Sequence, residues 1–178
     1  MQSAASIKRF LQQKVGSLHQ LKVKVTNERV AHHLPTSLTE VRQVWIEVVV
    51  KDDQGKLLFS SGTLTKENAL PKDTVIFNAH AVDKNGQDTI LPWEITRFVD
   101  VNTIPPKGYK YGKYYFNVPK GTKAITVTSS LHYRSFSQKK ADLLLGKGKV
   151  TVPSVEMVTQ VKTYQMADLK VAMVGEKP

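Results

Sequence analysis

The sequence predicts a mainly β fold: an antiparallel β-sandwich of the immunoglobulin or fibronectin-III kind, with a short amino-terminal helix. Apolar and polar residues alternate at period two through most of the chain. Turn signals that contain Gly, Asn or Asp separate these stretches, which recur at the short spacing typical of sandwiches. We therefore divide the chain into a helix or arm at residues 1–18, a sandwich domain at 19–165 and a tail at 166–178.

The amino-terminal stretch has a helical rather than an alternating pattern. Its apolar residues recur at spacings of three and four, with basic and amide side chains opposite them. These residues are Ile7, Phe10, Leu11, Val15 and Leu18. The pattern predicts an amphipathic helix that Gly16 ends or frays. Because a helix this short is marginal alone, we expect it to pack on a neighbour in this chain or another.

Beyond Gln20 the alternation predicts strands with one buried face. The clearest lies at residues 41–51, where one face carries Val44, Ile46, Val48 and Val50, and the other carries Trp45, Glu47 and Val49. Further strands are predicted from Gln20 onward and at 56–61, 74–83, 93–99, 111–118, 124–133 and 155–164. Asp53-Gln54-Gly55 and Asp83-Lys84-Asn85-Gly86 predict tight turns. A short helix is expected at 138–145, closed by Gly146.

Composition limits the chemistry that the chain can perform. Its 178 residues suit one medium domain with extensions, and 40% hydrophobic content with 23% charged residues is typical of a globular protein. The absence of cysteine excludes disulfides, zinc–thiolate sites, iron–sulfur clusters and cysteine nucleophiles. No apolar run reaches the roughly 20 residues of a transmembrane helix. The amino terminus also lacks the apolar core of a secretion signal.

The net charge of +11 favours anionic partners. Nucleic acid, anionic lipid, acidic polysaccharide and the acidic, propionate-bearing face of a cytochrome all meet that description. The lysines are spread along the chain, with no RNA-recognition motif, zinc finger or phosphate-binding loop among them. We therefore do not expect nucleic acid to be a partner.

The segment from Asn27 to Thr36 reads NERVAHHLPT, directly before the predicted strand at 41–51. It resembles a loop in the carboxy-terminal β-domain of bacterial multihaem c-type cytochromes. That loop reads asparagine, a few residues, Gly-His, any residue, Leu-Pro-Thr. Ala31 stands at the glycine position, and His32 falls on the histidine of the family.

The resemblance extends over residues 20 to about 160. Ser37–Val48 is similar to the family pattern Ser-Leu-Thr-Glu-Leu-Arg-Gln-Met-Trp-Leu-Glu-Val. Later stretches that match lie at 52–56, 61–62, 83–86, Trp93, 104–108, 116–119, 131–135 and 155–157. Each motif alone is weak, whereas their order and spacing together are fairly specific.

The resemblance implies a haem-free subunit or module. In the family this domain follows a run of Cys-x-x-Cys-His haem sites, and a chain without cysteine holds no covalently bound haem. The resemblance therefore implies packing on a multihaem c-type cytochrome chain in an electron-transfer assembly, with contacts in an oligomer or filament. It also implies a periplasmic or extracellular location, for which the export signal would have to lie outside this chain.

The resemblance assigns His32 as the metal ligand of the chain. A neutral imidazole nitrogen is a good axial ligand for haem iron. His32 would complete the haem c of the partner, with His33 as the second choice for cofactor binding. The alternative is that both are polar loop residues. His19, His80 and His132 are isolated in sequence, and we expect them at the surface or partly buried rather than as ligands.

Other residue types give no catalytic site. We expect Glu40 and Arg42 to form an ion pair that holds the loop to the sheet. Trp45 and Trp93 suit core packing better than a sugar-binding platform. No nucleophile elbow or other catalytic arrangement is present, so we predict that the protein is not an enzyme. The alternative function is an extracellular adhesion or polysaccharide-binding sandwich with no redox role, marked by an exposed tryptophan on a concave face.

Overall fold

The computed structural model describes residues 4–169, which form two antiparallel sheets. The strands are β1 (Ala5–Gln13), β2 (Leu18–Asn27), β3 (Gln43–Asp52), β4 (Leu57–Ser61), β5 (Ile76–Val82), β6 (Arg97–Asn102), β7 (Tyr109–Asn117), β8 (Ala124–Arg134) and β9 (Val155–Gln165). Helix α1 (Gln138–Leu145) lies between β8 and β9, and a 3-10 turn (Met166–Asp168) follows β9. The mainly β sandwich predicted from the sequence is confirmed.

The two sheets differ in size. The smaller has the order β1-β2-β7, and the larger has the order β6-β5-β3-β8-β9, with β4 paired to the second half of β3. β3 pairs with β8 along its whole length, from Gln43 opposite Arg134 to Asp52 opposite Ile125. These two strands form the middle of the larger sheet.

The core lies between the inner faces of the sheets, as the alternation predicts. Val44, Ile46, Val48 and Val50 of β3 are all fully buried. They lie in one cluster with Leu21, Val23 and Val25 of β2 and with Ile125, Val127 and Leu131 of β8. Burying such side chains contributes about 1.5–3 kcal/mol each. This cluster is the main reason that the sheets hold together.

The predicted amino-terminal helix is wrong, because residues 5–13 form strand β1. β1 pairs with β2 from Ala5 opposite Asn27 to Gln13 opposite His19. Ile7 is buried in the core, whereas Phe10 is 47% exposed on the outer face. An isolated helix of this length is marginal. As an edge strand, β1 pairs alternate backbone groups with β2 and buries Ile7 in the core. Residues 5–13 therefore lie within the sandwich, not in a separate arm.

One other predicted strand begins later than expected, and one predicted turn is confirmed. The strand expected at 93–99 begins at Arg97 instead, because Leu91 and Glu94 close a turn through a backbone hydrogen bond of 2.9 Å. The turn at Asp52 is confirmed, since its carboxylate accepts the backbone N–H groups of Gln54 and Lys56, each at 2.9 Å. Most of the predicted tail, residues 170–178, lies outside the described residues.

Among residues 4–169, no helix is long and apolar enough to cross a membrane.

Candidate functional site

A buried asparagine organises the histidine loop. Asn27 ends β2 and has no exposed surface. Its side-chain amide donates to the carbonyl oxygen of His32 at 2.8 Å, and its side-chain oxygen accepts the N–H of Val30 at 3.1 Å. Its backbone N–H donates to the carbonyl of Gly108 at 2.9 Å. Because buried polar groups need such partners, Asn27 fixes the path of residues 28–32.

The far end of the loop is held to the start of the β6–β7 connection. The N–H of Leu34 donates to the carbonyl of Ile104 at 2.9 Å, and the reverse bond measures 2.8 Å. Both side chains are buried, and the Leu34–Pro35 peptide bond is cis. The loop that carries His32 and His33 is therefore fixed at both ends.

His32 presents a free ring nitrogen to solvent. The ring is exposed, and its Nδ1 lies 3.0 Å from the carbonyl oxygen of His33. Because a carbonyl oxygen only accepts, Nδ1 carries the proton of the neutral ring. Nε2 then holds the lone pair, and no residue of the described chain hydrogen-bonds to it. This tautomer, fixed by a second partner, is the one that an Nε2 metal ligand needs.

His33 is held differently from His32. Its Nδ1 lies 2.8 Å from the Oγ1 of Thr103, a side chain that is 4% exposed. A hydroxyl can donate or accept, so this contact does not fix the tautomer of His33. The two adjacent histidines therefore differ in their ring contacts: Nδ1 of His32 faces a carbonyl oxygen, and Nδ1 of His33 faces a hydroxyl.

Ala31 occupies the position of the family glycine without backbone strain. The non-glycine residues with positive φ are Ser37, Leu38, Asn68 and Lys107, so Ala31 has an ordinary backbone. It is also exposed, which leaves room for its methyl group. The Gly-to-Ala difference therefore does not disturb the loop.

The remaining histidines are occupied or buried. The Nε2 of His132 donates to a carboxylate oxygen of Glu47 at 2.8 Å, and the Nε2 of His80 donates to Asp88 at 2.6 Å. His19 was expected at the surface or partly buried, but it is 2% exposed and stacks on Phe116. Within the described residues, no group of three or more histidine and carboxylate side chains could hold a metal ion.

Trp45 belongs to a packed cluster on the outer face of the larger sheet. It is 1% exposed, stacks on His132 with centroids 5.1 Å apart, and donates from Nε1 to the carbonyl of Gly62 at 3.0 Å. A Cβ on Gly62 would lie 2.3 Å from the Ile46 carbonyl oxygen, so this approach needs glycine. Trp45 is unavailable to a sugar, whereas Trp93 is 79% exposed.

The ion pair expected between Glu40 and Arg42 does not form within the described chain, where the ion pairs are the two histidine–carboxylate contacts. Arg42 still holds the loop, because its Nη1 donates to the carbonyl of Thr36 at 2.9 Å. Glu40 is 5% exposed and lines a cleft of about 780 Å³ between α1 and β5. The backbone carbonyl of Glu40 accepts a hydrogen bond from the Nζ of Lys140.

Sequence reasoning missed the residues that hold the loop. Asn27 was part of the matched segment, but no role was assigned to it. Asn27 continues the alternation of Leu21, Val23 and Val25 at the end of the strand. That position could have marked it as a buried polar residue. Thr103 and Ile104 lie about 70 residues further along the chain, so their contacts with the loop have no local signal in the sequence.

The fold is similar to part of a multihaem cytochrome. The penta-haem cytochrome c552 from Thermochromatium tepidum superposes with a TM-score of 0.70 and 15% sequence identity, over 92% of this chain and 40% of that chain. A second solved structure, Northeast Structural Genomics Consortium target SoR45, is less similar, with a TM-score of 0.39 and 9% identity over 99% of this chain and 98% of that chain. No family model and no curated protein matches the sequence. The chain therefore spans less than half of the penta-haem cytochrome and shares its fold over that part.

Proposed function

We propose that this protein is a haem-free β-sandwich module of an electron-transfer assembly, packed on a multihaem c-type cytochrome chain in the periplasm or outside the cell. His32 completes one haem of that partner as an axial ligand. The protein carries no covalent haem, because it has no cysteine to form the thioether bonds.

Two independent similarities support a cytochrome partner. The order of the loop, strand and hairpin motifs resembles the terminal β-domain of multihaem cytochromes along most of the chain. The fold, compared without reference to those motifs, is similar to part of a penta-haem cytochrome. Because one fold serves many functions, the fold alone would not support the proposal, and the histidine loop is needed.

The observation that carries the proposal is the Nε2 of His32, to which no residue among 4–169 hydrogen-bonds. Asn27 holds the backbone of His32, and the carbonyl of His33 fixes the proton on Nδ1. The ligand is therefore preorganised, so that little ordering is needed when iron binds. An exposed loop at the end of a rigid sheet can also project into the haem crevice of another chain.

Such a ligand would tune electron transfer without carrying electrons itself. The reduction potential of a haem depends on its axial ligands, on hydrogen bonds to those ligands and on its exposure to water. His32 would supply the ligand and the His33 carbonyl its hydrogen bond. The sandwich would exclude solvent from the same haem edge.

The first experiment isolates the chain from its native source under conditions that keep assemblies intact. We expect a haem α band after reduction with dithionite, in a constant ratio to this chain across the elution peak. If the purified fraction that contains this chain has no haem absorbance, the cytochrome partner is refuted. The adhesion or polysaccharide-binding function is then the leading alternative.

A second experiment separates ligation from packing. Assemblies that contain His32→Ala should lose one low-spin haem signal in electron paramagnetic resonance and shift one midpoint potential. His33→Ala and His80→Ala are matched controls, because both histidines are exposed, and should leave these signals unchanged. If His32→Ala co-purifies with haem and every signal is unchanged, the module packs on the cytochrome but donates no ligand.

One observation favours the second candidate, a polysaccharide-binding sandwich. The indole of Trp93 is 79% exposed in a turn, and exposed aromatic rings stack on sugar faces. Retention of the chain on an insoluble polysaccharide that is lost in Trp93→Ala, together with no haem in the native fraction, would favour this function.

A further inference from the structure

The outer face of the smaller sheet combines lysines with aromatic rings. The register of β1, β2 and β7 aligns their outward residues in rows, such as Phe10–Lys22–Lys113 and Lys8–Lys24–Tyr111. The next rows on either side are Gln12–Gln20–Tyr115 and Ser6–Thr26–Tyr109. We call these positions the lysine–tyrosine face.

This face has one sign of charge. Its ionisable amines are Lys8, Lys22, Lys24 and Lys113, and none of the aligned positions holds a carboxylate. Glu28 lies just beyond the end of β2 and accepts a hydrogen bond from Ser6 at the margin. Neighbouring strands lie about 4.8 Å apart, and alternate residues along a strand about 6.8 Å apart. The backbone positions of the four lysines therefore lie close together. Such a compact group of charges attracts anions more strongly than scattered lysines do.

The aromatic residues occupy the same rows as these amines or the rows next to them. Phe10 and Tyr115 are 47% and 52% exposed, and Tyr109 and Tyr111 are 51% and 43% exposed. Rings with an apolar body and, in tyrosine, a polar tip are typical of the boundary between water and lipid. Lysine stems can lie along such rings while the ammonium groups reach outward.

We infer that the lysine–tyrosine face binds the surface of an anionic phospholipid bilayer. Lysines beside an anionic membrane attract its headgroups, and aromatic side chains enter the layer just below them. The inference does not depend on the proposed cytochrome partner, because no residue of the histidine loop belongs to this face.

Ring orientation favours a bilayer over nucleic acid or sugar. The Nζ of Lys24 lies 3.8 Å from the centroid of the Tyr109 ring and covers one of its faces. Tyr111 meets Tyr109 edge to face, at 5.4 Å and an interplanar angle of 73°. Bases and sugars that stack need open ring faces in a suitable order. A headgroup layer is fluid and needs no such alignment.

Charge also argues against a protein as the partner of this face, whether a second copy of this chain or a different protein. A second copy placed face to face would bring these lysines against one another, which is repulsive. The buried core of a stable protein interface is depleted in lysine. A phosphate-rich surface instead neutralises every amine of the face at once.

The test measures binding of the full chain to vesicles of phosphatidylcholine, with and without phosphatidylglycerol. We expect co-sedimentation only with the anionic vesicles, and its loss as salt is raised. Lys22→Gln/Lys113→Gln removes two charges from the centre of the face and should weaken binding roughly thirtyfold. Phe10→Ser should weaken it severalfold, because an apolar ring is lost from the bilayer boundary.

The matched control is Lys56→Gln/Lys84→Gln, which lowers the net charge equally at exposed turn positions. It should bind nearly as tightly as the unmodified chain, and all variants should keep the same far-ultraviolet circular dichroism. Equal losses in the two double variants would show diffuse charge attraction and overturn the inference. No binding to anionic vesicles would also overturn it, as would tighter binding to single-stranded oligonucleotide or alginate that Tyr111→Ser abolishes.

Discussion

The outer faces of the two sheets are built from similar alternating strands, but they differ in solvent exposure. The aromatic side chain of Trp45 on the larger sheet is buried, and those on the outer face of the smaller sheet are exposed. On the larger sheet, Trp45 is 1% exposed because it stacks on His132, lies beneath the guanidinium of Arg134 and donates to the carbonyl of Gly62. On the smaller sheet, Tyr109, Tyr111 and Tyr115 remain 43–52% exposed. An outward aromatic residue is therefore a stability element on one sheet and a surface element on the other.

The covered face is held by polar contacts as well as by packing. Arg134 is 2% exposed, donates from Nε to Gln43 at 2.7 Å and from Nη1 to the carbonyl of Asn68 at 2.8 Å. The amide of Asn68 in turn donates to Gln138 of α1 and to the carbonyl of Val152. A loop that brings its own hydrogen-bond partners can therefore bury an outward face.

Trp45→Ala should have the largest effect, because it empties a closely packed site under the loop. We expect a loss of about 3–5 kcal/mol in the free energy of unfolding, measured by urea denaturation. Trp93→Ala is the matched control, since Trp93 is 79% exposed, and should change stability by about 0.5 kcal/mol or less. Equal effects of the two substitutions would contradict the comparison.

Arg134→Met should have the next largest effect. Methionine retains the apolar stem and leaves the carbonyl of Asn68 and the side chain of Gln43 without their donor. We expect a loss of about 1–3 kcal/mol in the free energy of unfolding, by the same denaturation. Burial lowers the pKa of Arg134 from its ordinary value, so relief from desolvation offsets part of this loss. Arg97→Met, at an exposed position, should be near neutral.

Lys140→Met should change the pH dependence of stability. Burial lowers the pKa of Lys140 below 10.5, against the opposing attraction of the Glu40 and Asp88 carboxylates. Between the lowered pKa and 10.5 the unfolded chain binds more protons, so the free energy of unfolding rises with pH. The contribution of Lys140 is therefore most favourable above 10.5 and is lost as the pH falls through its folded-state pKa.

The difference in unfolding free energy between the unmodified chain and Lys140→Met isolates this group. The free energy of unfolding of the unmodified chain should rise relative to that of Lys140→Met as the pH increases from the folded-state pKa of Lys140 to 10.5. A difference that stays constant with pH would mean that Lys140 titrates alike in both states.

Tyr111→Ser should have the smallest effect among these substitutions. Tyr111 is 43% exposed and loses only its edge contact with Tyr109. We expect a change of about 0.5 kcal/mol or less in the free energy of unfolding. If Tyr111→Ser lowered the melting temperature by as much as Trp45→Ala does, the lysine–tyrosine face would have to be covered.

Much of the sandwich could be predicted from local patterns. The alternation at Val44, Ile46, Val48 and Val50 assigned the inner face of β3 correctly, and the turn at Asp52 was confirmed by its side-chain hydrogen bonds. The amino terminus misled the prediction, since spacings of three and four can also place residues on both faces of a strand. Only the pairing of β1 with β2 decides between the two structures.

The candidate site was predicted less completely than the fold. The resemblance selected His32, but its tautomer depends on the bend that brings the His33 carbonyl to Nδ1. The difference between His32 and His33 depends on Thr103, which is distant in sequence. Periodicity describes one strand at a time, so it cannot report such contacts.

By itself the sequence determined which side of each clear strand is apolar, where the chain turns, and that no covalent haem is present. These properties depend on residues close together in the chain or on composition alone. The tertiary structure decided that residues 5–13 form a strand and that Trp45 is covered while Tyr109, Tyr111 and Tyr115 of β7 are exposed. It also decided that no residue among 4–169 hydrogen-bonds to Nε2 of His32. Each of these depends on which distant segment packs against a residue, and local alternation carries no information about that choice.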